Sequence, residues 1–129
     1  MSPEIVAHAV KAYFAAIKTM DASIWVGNFA EDAEAYDPAD APPHKGHDGL
    51  RQFFEAIAGG FKEVELTADQ VFIVGHEAAV KWTGRGVGKN GKSVHFEGID
   101  VFEINEEGKI QKTRAYWNPS ELMGQLQSK

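Results

Sequence analysis

From Val94 to Ile104 the chain alternates as a strand does, with successive side chains on opposite faces. One face carries Val94, Phe96, Gly98, Asp100, Phe102 and Ile104, and the other His95, Glu97, Ile99, Val101 and Glu103. Asp100 therefore falls on the more apolar face. A carboxylate there is costly unless a cation pairs with it or it keeps its proton. A bulge at Gly98 that turns it outward is the other solution. Kept neutral, it becomes a donor aimed into an apolar cavity, where it can stabilise an oxyanion.

The chain before this strand reads first as helix. Ser2, Pro3 and Glu4 form a capped start, and a helix follows from Ile5 to about Thr19. Its apolar stripe is Val6, Ala9, Val10, Tyr13, Ile17 and Met20, so the Tyr13 hydroxyl is carried inward and needs a partner. Asp21 caps a short second helix through Ile24, Trp25 and Phe29. Ala33 to Asp37 is a short strand that Pro38 stops. Asp37 thus stands where regular structure gives way to a proline-stiffened loop, which suits a catalytic group and equally a turn-initiating Asp. A third helix runs from about Leu50 to Ala58, with Leu50, Phe53, Phe54, Ile57 and Phe61 as its apolar side, and Gly59-Gly60 ends it. His44, His47 and Asp48 lack a defined ligand set and read as a solvated loop, so no metal is expected.

The remainder is strand. Glu63 to Val74 is a long candidate with Val64, Leu66, Phe72 and Val74 on one face. Ala78, Val80, Trp82, Gly84 and Gly86 then alternate with Lys81, Thr83 and Arg85. Asn90-Gly91 predicts a hairpin into the Asp100 strand. Ile110 to Trp117 is the last strand, and Ser120 caps a tail helix with Leu122, Met123 and Leu126. Glu97, Arg85 and Arg114 read as cross-strand surface pairing, with Lys81 beside them. The order predicts an α+β fold, with about three N-terminal helices gathered on one face of a curved, antiparallel-rich sheet. Gly84, Gly86 and Gly98 invite bulges and curvature, and a central cavity remains between sheet and helices.

Totals narrow the function. The 129 residues suit one domain spanning 1–129. A formal charge of -6 with no basic run argues against a nucleic-acid partner. There are no cysteines, so thiol and disulfide chemistry is excluded. With neither a membrane-length apolar run nor a secretory signal, a soluble cytoplasmic protein is the default expectation.

Tyr13, Asp37 and Asp100 together resemble the catalytic set of the Δ5-3-ketosteroid isomerases of the cone-shaped NTF2-like superfamily, in its SnoaL-like group. The resemblance runs along nearly the whole chain. It is carried by Ala12-Tyr13, by Phe29 to Ala33 leading into Tyr36-Asp37-Pro38, by Pro42-Pro43 and Gly46, by Gly98 to Phe102, and by Gly108 to Gln111 with Ala115-Tyr116-Trp117. It implies Asp37 as base, Tyr13 and Asp100 as oxyanion hole, and a pocket including Trp117, Phe54, Phe29 and Phe102. It also implies no cofactor, a small hydrophobic carbonyl compound as substrate, and a homodimer. Phe29 and Phe54 stand where one branch of that family has tyrosines supporting the oxyanion tyrosine. Two alternatives stay open: another SnoaL-like enzyme, of the polyketide cyclase or dehydratase type, and a non-catalytic module that binds a small ligand.

Overall fold

The computed structural model describes residues 2–127. Ser2 accepts from the Ile5 amide at 3.4 Å and opens helix α1, Pro3–Ile17. Its stripe of Val6, Ala9, Val10, Tyr13 and Ile17 is buried against the sheet. Asp21 caps α2, Ala22–Val26, by accepting from the Ser23 and Ile24 amides at 2.8 and 3.2 Å. That helix stops three residues short of Phe29, which instead begins strand β1, Phe29–Tyr36. After the loop come a two-residue strand β2, His44–Lys45, which the sequence had read as loop, and α3, Gly46–Ala58. Phe61 belongs not to α3 but to the start of β3, Phe61–Val74. Three more strands follow, β4 (Glu77–Gly88), β5 (Ser93–Ile104) and β6 (Ile110–Trp117), and then α4, Pro119–Gln127. The Asn118 side chain, rather than Ser120, holds the first turn of α4 by accepting from the Ser120 amide at 3.0 Å.

All six strands form one mixed sheet in the order β2-β1-β6-β5-β4-β3. Only β1 and β6 run parallel; the other neighbours are antiparallel. The expected curved α+β layering is therefore present, with α1 and α3 over one face.

Register shifts occur in the β1–β6, β3–β4 and β5–β6 pairings, and the one inside β3 changes which side chains face the core. Val64 and Leu66 of β3 face inward, but the register slips between Ala68 and Gln70, leaving Asp69 as the extra residue of a bulge. Side chains beyond it change faces. Phe72 and Val74 are consequently 63% and 81% exposed on the outer face, not aligned with Val64 and Leu66 as the sequence suggested. Gly84, Gly86 and Gly98 lie in continuous register between β4 and β5. They make room for rings instead: a Cβ at Gly84 would lie 2.5 Å from Phe96 Cε2, and one at Gly98 2.6 Å from Trp82 Cζ2.

The core is densely aromatic. Tyr13 meets Phe102 and Phe14 edge-on, with centroids 5.0 and 5.1 Å apart, and Trp25 stacks on Phe54 at 4.9 Å. Phe102 is wholly buried; truncating such a side chain to Ala costs about 3–5 kcal/mol. α4 covers the part of β5 that β6 leaves unpaired. There the Gln125 amide donates to the His95 carbonyl at 2.7 Å and accepts from its N–H at 2.9 Å. This clamp sets Leu122 inward at the rim of the remaining cavity.

Candidate active site

Three elements bring polar side chains to one apolar hollow. Tyr13 descends from α1, Asp37 leaves the end of β1, and Asp100 points inward from the middle of β5, and all three line the same cavity. The empty space is about 580 Å³ with its open mouth included. Its other walls are hydrocarbon and aromatic ring, Phe54, Leu66, Phe96 and Trp117 among them, and no Lys, Arg or His lines it among the described residues.

The charged side chains read as cross-strand surface pairs are on the outer face of the sheet. Lys81 lies 3.0 Å from Glu97 and 3.6 Å from Asp69, Arg85 2.8 Å from Glu65, and Arg114 3.4 Å from Glu103. Exposed pairs of this kind contribute little to stability, but their placement keeps these three cations out of the hollow. The loop histidines are engaged singly. His47 donates Nε2–H to the Phe29 carbonyl at 2.9 Å, and His44 rests on the Phe53 ring at 4.4 Å.

Asp37 sits on the loop just past β1, and the Ala39 amide ties this loop to the Ala115 carbonyl of β6 at 2.7 Å. Two residues further along β6, Trp117 reaches back and donates Nε1–H to Asp37 Oδ1 at 2.5 Å. Asp37 is half-buried. Burial lifts its carboxyl to about 6, and the Trp117 bond opposes the rise. Asp100 is 3% exposed. No cation faces it, and burial first, then the Asp37 charge, raise it to about 8, against a smaller opposing pull from the Trp82 indole. The Tyr13 phenol lies well above its ordinary range, through burial and then the charges of Asp100 and Asp37, with the Trp25 indole opposing. At neutral pH the hollow thus holds one mostly ionised carboxylate, one mostly protonated carboxylic acid and one neutral phenol.

Of the four aromatic residues assigned to the pocket from the sequence, Trp117 and Phe54 line it. Phe29 and Phe102 do not; they lie behind the Tyr13 ring, with centroids 6.1 and 5.0 Å from it. Both come from strand positions whose inward side chains meet α1 before they reach the hollow. Missed by sequence were Trp25 and Trp82, which also face the cavity. For Trp82 the signal was present: it occupies the inward set of β4, opposite a glycine.

Known proteins resemble the chain in sequence and in fold. Residues 10–113 match the model of the SnoaL-like domain. The chain is 30% identical over 123 residues to a protein of Nocardioides simplex named steroid Delta-isomerase, covering 95% of this chain and 97% of that one. Among solved structures, SalBIII, described as an epoxide hydrolase/cyclase-like enzyme in pyran ring formation in the polyether salinomycin, superposes with a TM-score of 0.80. That match has 24% identity and covers 90% of this chain and 92% of the other. With four-fifths of its length inside the family's pattern and the six-stranded, helix-covered sheet of that fold, the chain belongs to the SnoaL-like family of NTF2-like proteins.

Proposed function

We propose that the protein is a ketosteroid isomerase-type enzyme that moves a C=C bond into conjugation with a ketone through a dienolate. The observation that carries this reading is the convergence of Tyr13, Asp37 and Asp100 on one apolar hollow, lined by no cation among the described residues, with the two acids driven to opposite protonation states. The steroid isomerase relative supports it.

Asp37 takes the proton from the carbon alpha to the carbonyl and returns it to the far end of the dienolate. It can do both because its pKa near 6 leaves it ionised at neutral pH yet basic enough to hold the proton briefly. As the proton leaves carbon, charge grows on the carbonyl oxygen. Tyr13 and the protonated Asp100 donate to it. Donors fixed in a dry site need no reorganisation during the step, and losing one costs about 10²–10³-fold in rate. The apolar walls bind the hydrocarbon body of the substrate, and no cofactor enters the scheme.

The test is conversion of 5-androstene-3,17-dione to the conjugated enone, followed by ultraviolet absorbance. Turnover well above the buffer rate is expected; none above background would remove the steroid reading. An acid beside a base also suits ring closure of the cyclase type, and that reading would then lead. Phe72, Ile99 and Tyr116, exposed by 63%, 43% and 53% on the outer sheet face, favour a homodimer formed through that face. Light scattering would report twice the chain mass, and a monomer at micromolar concentration would refute it.

A further inference from the structure

Trp82 has no part in the proton transfer just described, yet its setting is built with care. Its indole lies across Gly98 of the neighbouring strand, where a Cβ would come within 2.6 Å of Trp82 Cζ2 and 2.8 Å of Trp117 Cβ. Phe96 and Trp117 hold the ring edge-on at centroid distances of 5.8 and 6.3 Å. The residue is 2% exposed, and its Nε1–H, wholly out of solvent, makes no hydrogen bond of good geometry, although it lies near enough to Asp100 to oppose the rise in that carboxyl's pKa. A buried donor left unpaired is unfavourable and rare.

The complementary vacancy lies beside it. Val80 pairs with Asp100 and Trp82 with Gly98, so Trp82 and Asp100 are diagonal neighbours on the inward face of β4 and β5. Asp100 Oδ1 is likewise buried and without a hydrogen-bond partner. A donor without an acceptor thus stands next to an acceptor without a donor. The other two tryptophans of the chain follow the same plan. Trp117 donates to Asp37, and the Trp25 ring lies beside Tyr13, with centroids 6.0 Å apart. With three tryptophans in all, each polar group of the hollow has one indole beside it.

We propose that Trp82 is a positioning residue whose indole N–H closes onto Asp100 Oδ1 when the cavity is filled, so that the acid proton stays on Oδ2 and is presented to the ligand oxygen. This rests on Asp100 acting as a proton-bearing donor. A carboxylic acid has two oxygens on which the proton can reside. Occupying one as an acceptor leaves the proton to the other and fixes the plane of the group. The small shift that makes the bond satisfies both orphaned atoms at once. The indole N–H donates to Asp100 and not to the ligand oxygen.

The test replaces Trp82 with β-(3-benzothienyl)alanine, which keeps the ring system and puts sulfur in place of N–H; Trp82→Phe is the second variant should that protein express poorly. Three readouts are taken: kcat and KM on 5-androstene-3,17-dione, equilenin affinity, and the Asp100 carboxyl titration by ¹³C NMR with equilenin bound. The expected result is a fall in kcat and in equilenin affinity of about tenfold, the size of one lost hydrogen bond, with KM nearly unchanged. The Asp100 titration should move to higher pH, because a donor to its charged form is gone. In an Asp100→Leu background the same replacement should change equilenin affinity by less than about twofold. An unmoved Asp100 titration would overturn the proposal and leave Trp82 as wall. An undiminished loss in the Asp100→Leu background would also overturn it, since the indole would then be acting on the ligand directly. The titration and equilenin binding need no turnover, so they decide the role of Trp82 even if the steroid substrate is left untouched.

Discussion

Asp37 and Asp100 are the same side chain in two settings. Asp37 stands at the end of a strand, where the chain leaves the sheet; it is half-buried and holds a made bond to Trp117. Asp100 stands mid-strand between Phe102 and Gly98, 3% exposed, with one oxygen unpaired. The first is lifted to about 6 and the second to about 8. The difference shows that position along a strand, rather than residue type, separates the two protonation states. A strand end leaves access to the rim and to a neighbouring donor, whereas a strand centre seals the group under α1.

The contrast is broken most forcefully at Asp37. Asp37→Asn should lower kcat by about 10²–10⁴-fold and tighten equilenin, because the negative charge that opposes an anionic ligand is gone. Stopped-flow turnover and fluorescence titration check both, and unchanged turnover would exclude Asp37 from the chemistry. Asp100→Leu should cost about 10²–10³-fold in kcat while the fold persists. Severe unfolding would instead mark Asp100 as a structural group.

Stability against pH sharpens the contrast next. A carboxyl whose folded pKa is raised binds its proton more tightly in the folded state, so stability falls as pH rises. For Asp100 the loss begins near its ordinary value of 3.8 and is complete above about 8. It amounts to on the order of 5 kcal/mol. Asp100→Asn should remove most of that slope, giving a protein that gains on the wild type in urea melts as pH rises from about 5 to 8. Parallel curves for the two proteins would contradict the buried-acid assignment.

The smallest effect concerns the acid limb of activity. With Asp37 required ionised and Asp100 required protonated, kcat/KM should rise through about pH 6 and fall through about pH 8. Trp117→Phe removes the bond that holds Asp37 down. The acid limb should therefore move upward, with a loss of only several-fold near neutral pH. An acid limb that stays in place would show that the indole serves packing alone.

Much of this was legible before any coordinates. The two-residue period of β5 placed Asp100 inward, the 3.6-residue period of α1 placed Tyr13, and Pro38 fixed where β1 releases Asp37. These signals are local, and local pattern survives folding. The bulge at Asp69 was not legible, because it is set by pairing with β4 and by Thr83, which donates to Asp69 Oδ2 at 2.6 Å. Phe29 and Phe61 were assigned to helices because their spacing continues the preceding apolar stripes. The chain turns before each, at Gly27-Asn28 and Gly59-Gly60, and tertiary pairing claims them as strand starts. The role of Trp82 was hidden for another reason: an inward tryptophan on a strand reads as core until the partner of its N–H can be examined.

The most direct measurement is a ¹³C NMR titration of the protein with aspartate carboxyl carbons labelled, Asp37→Asn and Asp100→Asn serving to assign the two signals. One carboxyl, Asp37, should titrate near 6 and a second, Asp100, near 8, leaving the pair in opposite states at neutral pH. An Asp100 signal that titrates near 4 with the surface carboxylates would contradict the account at its centre.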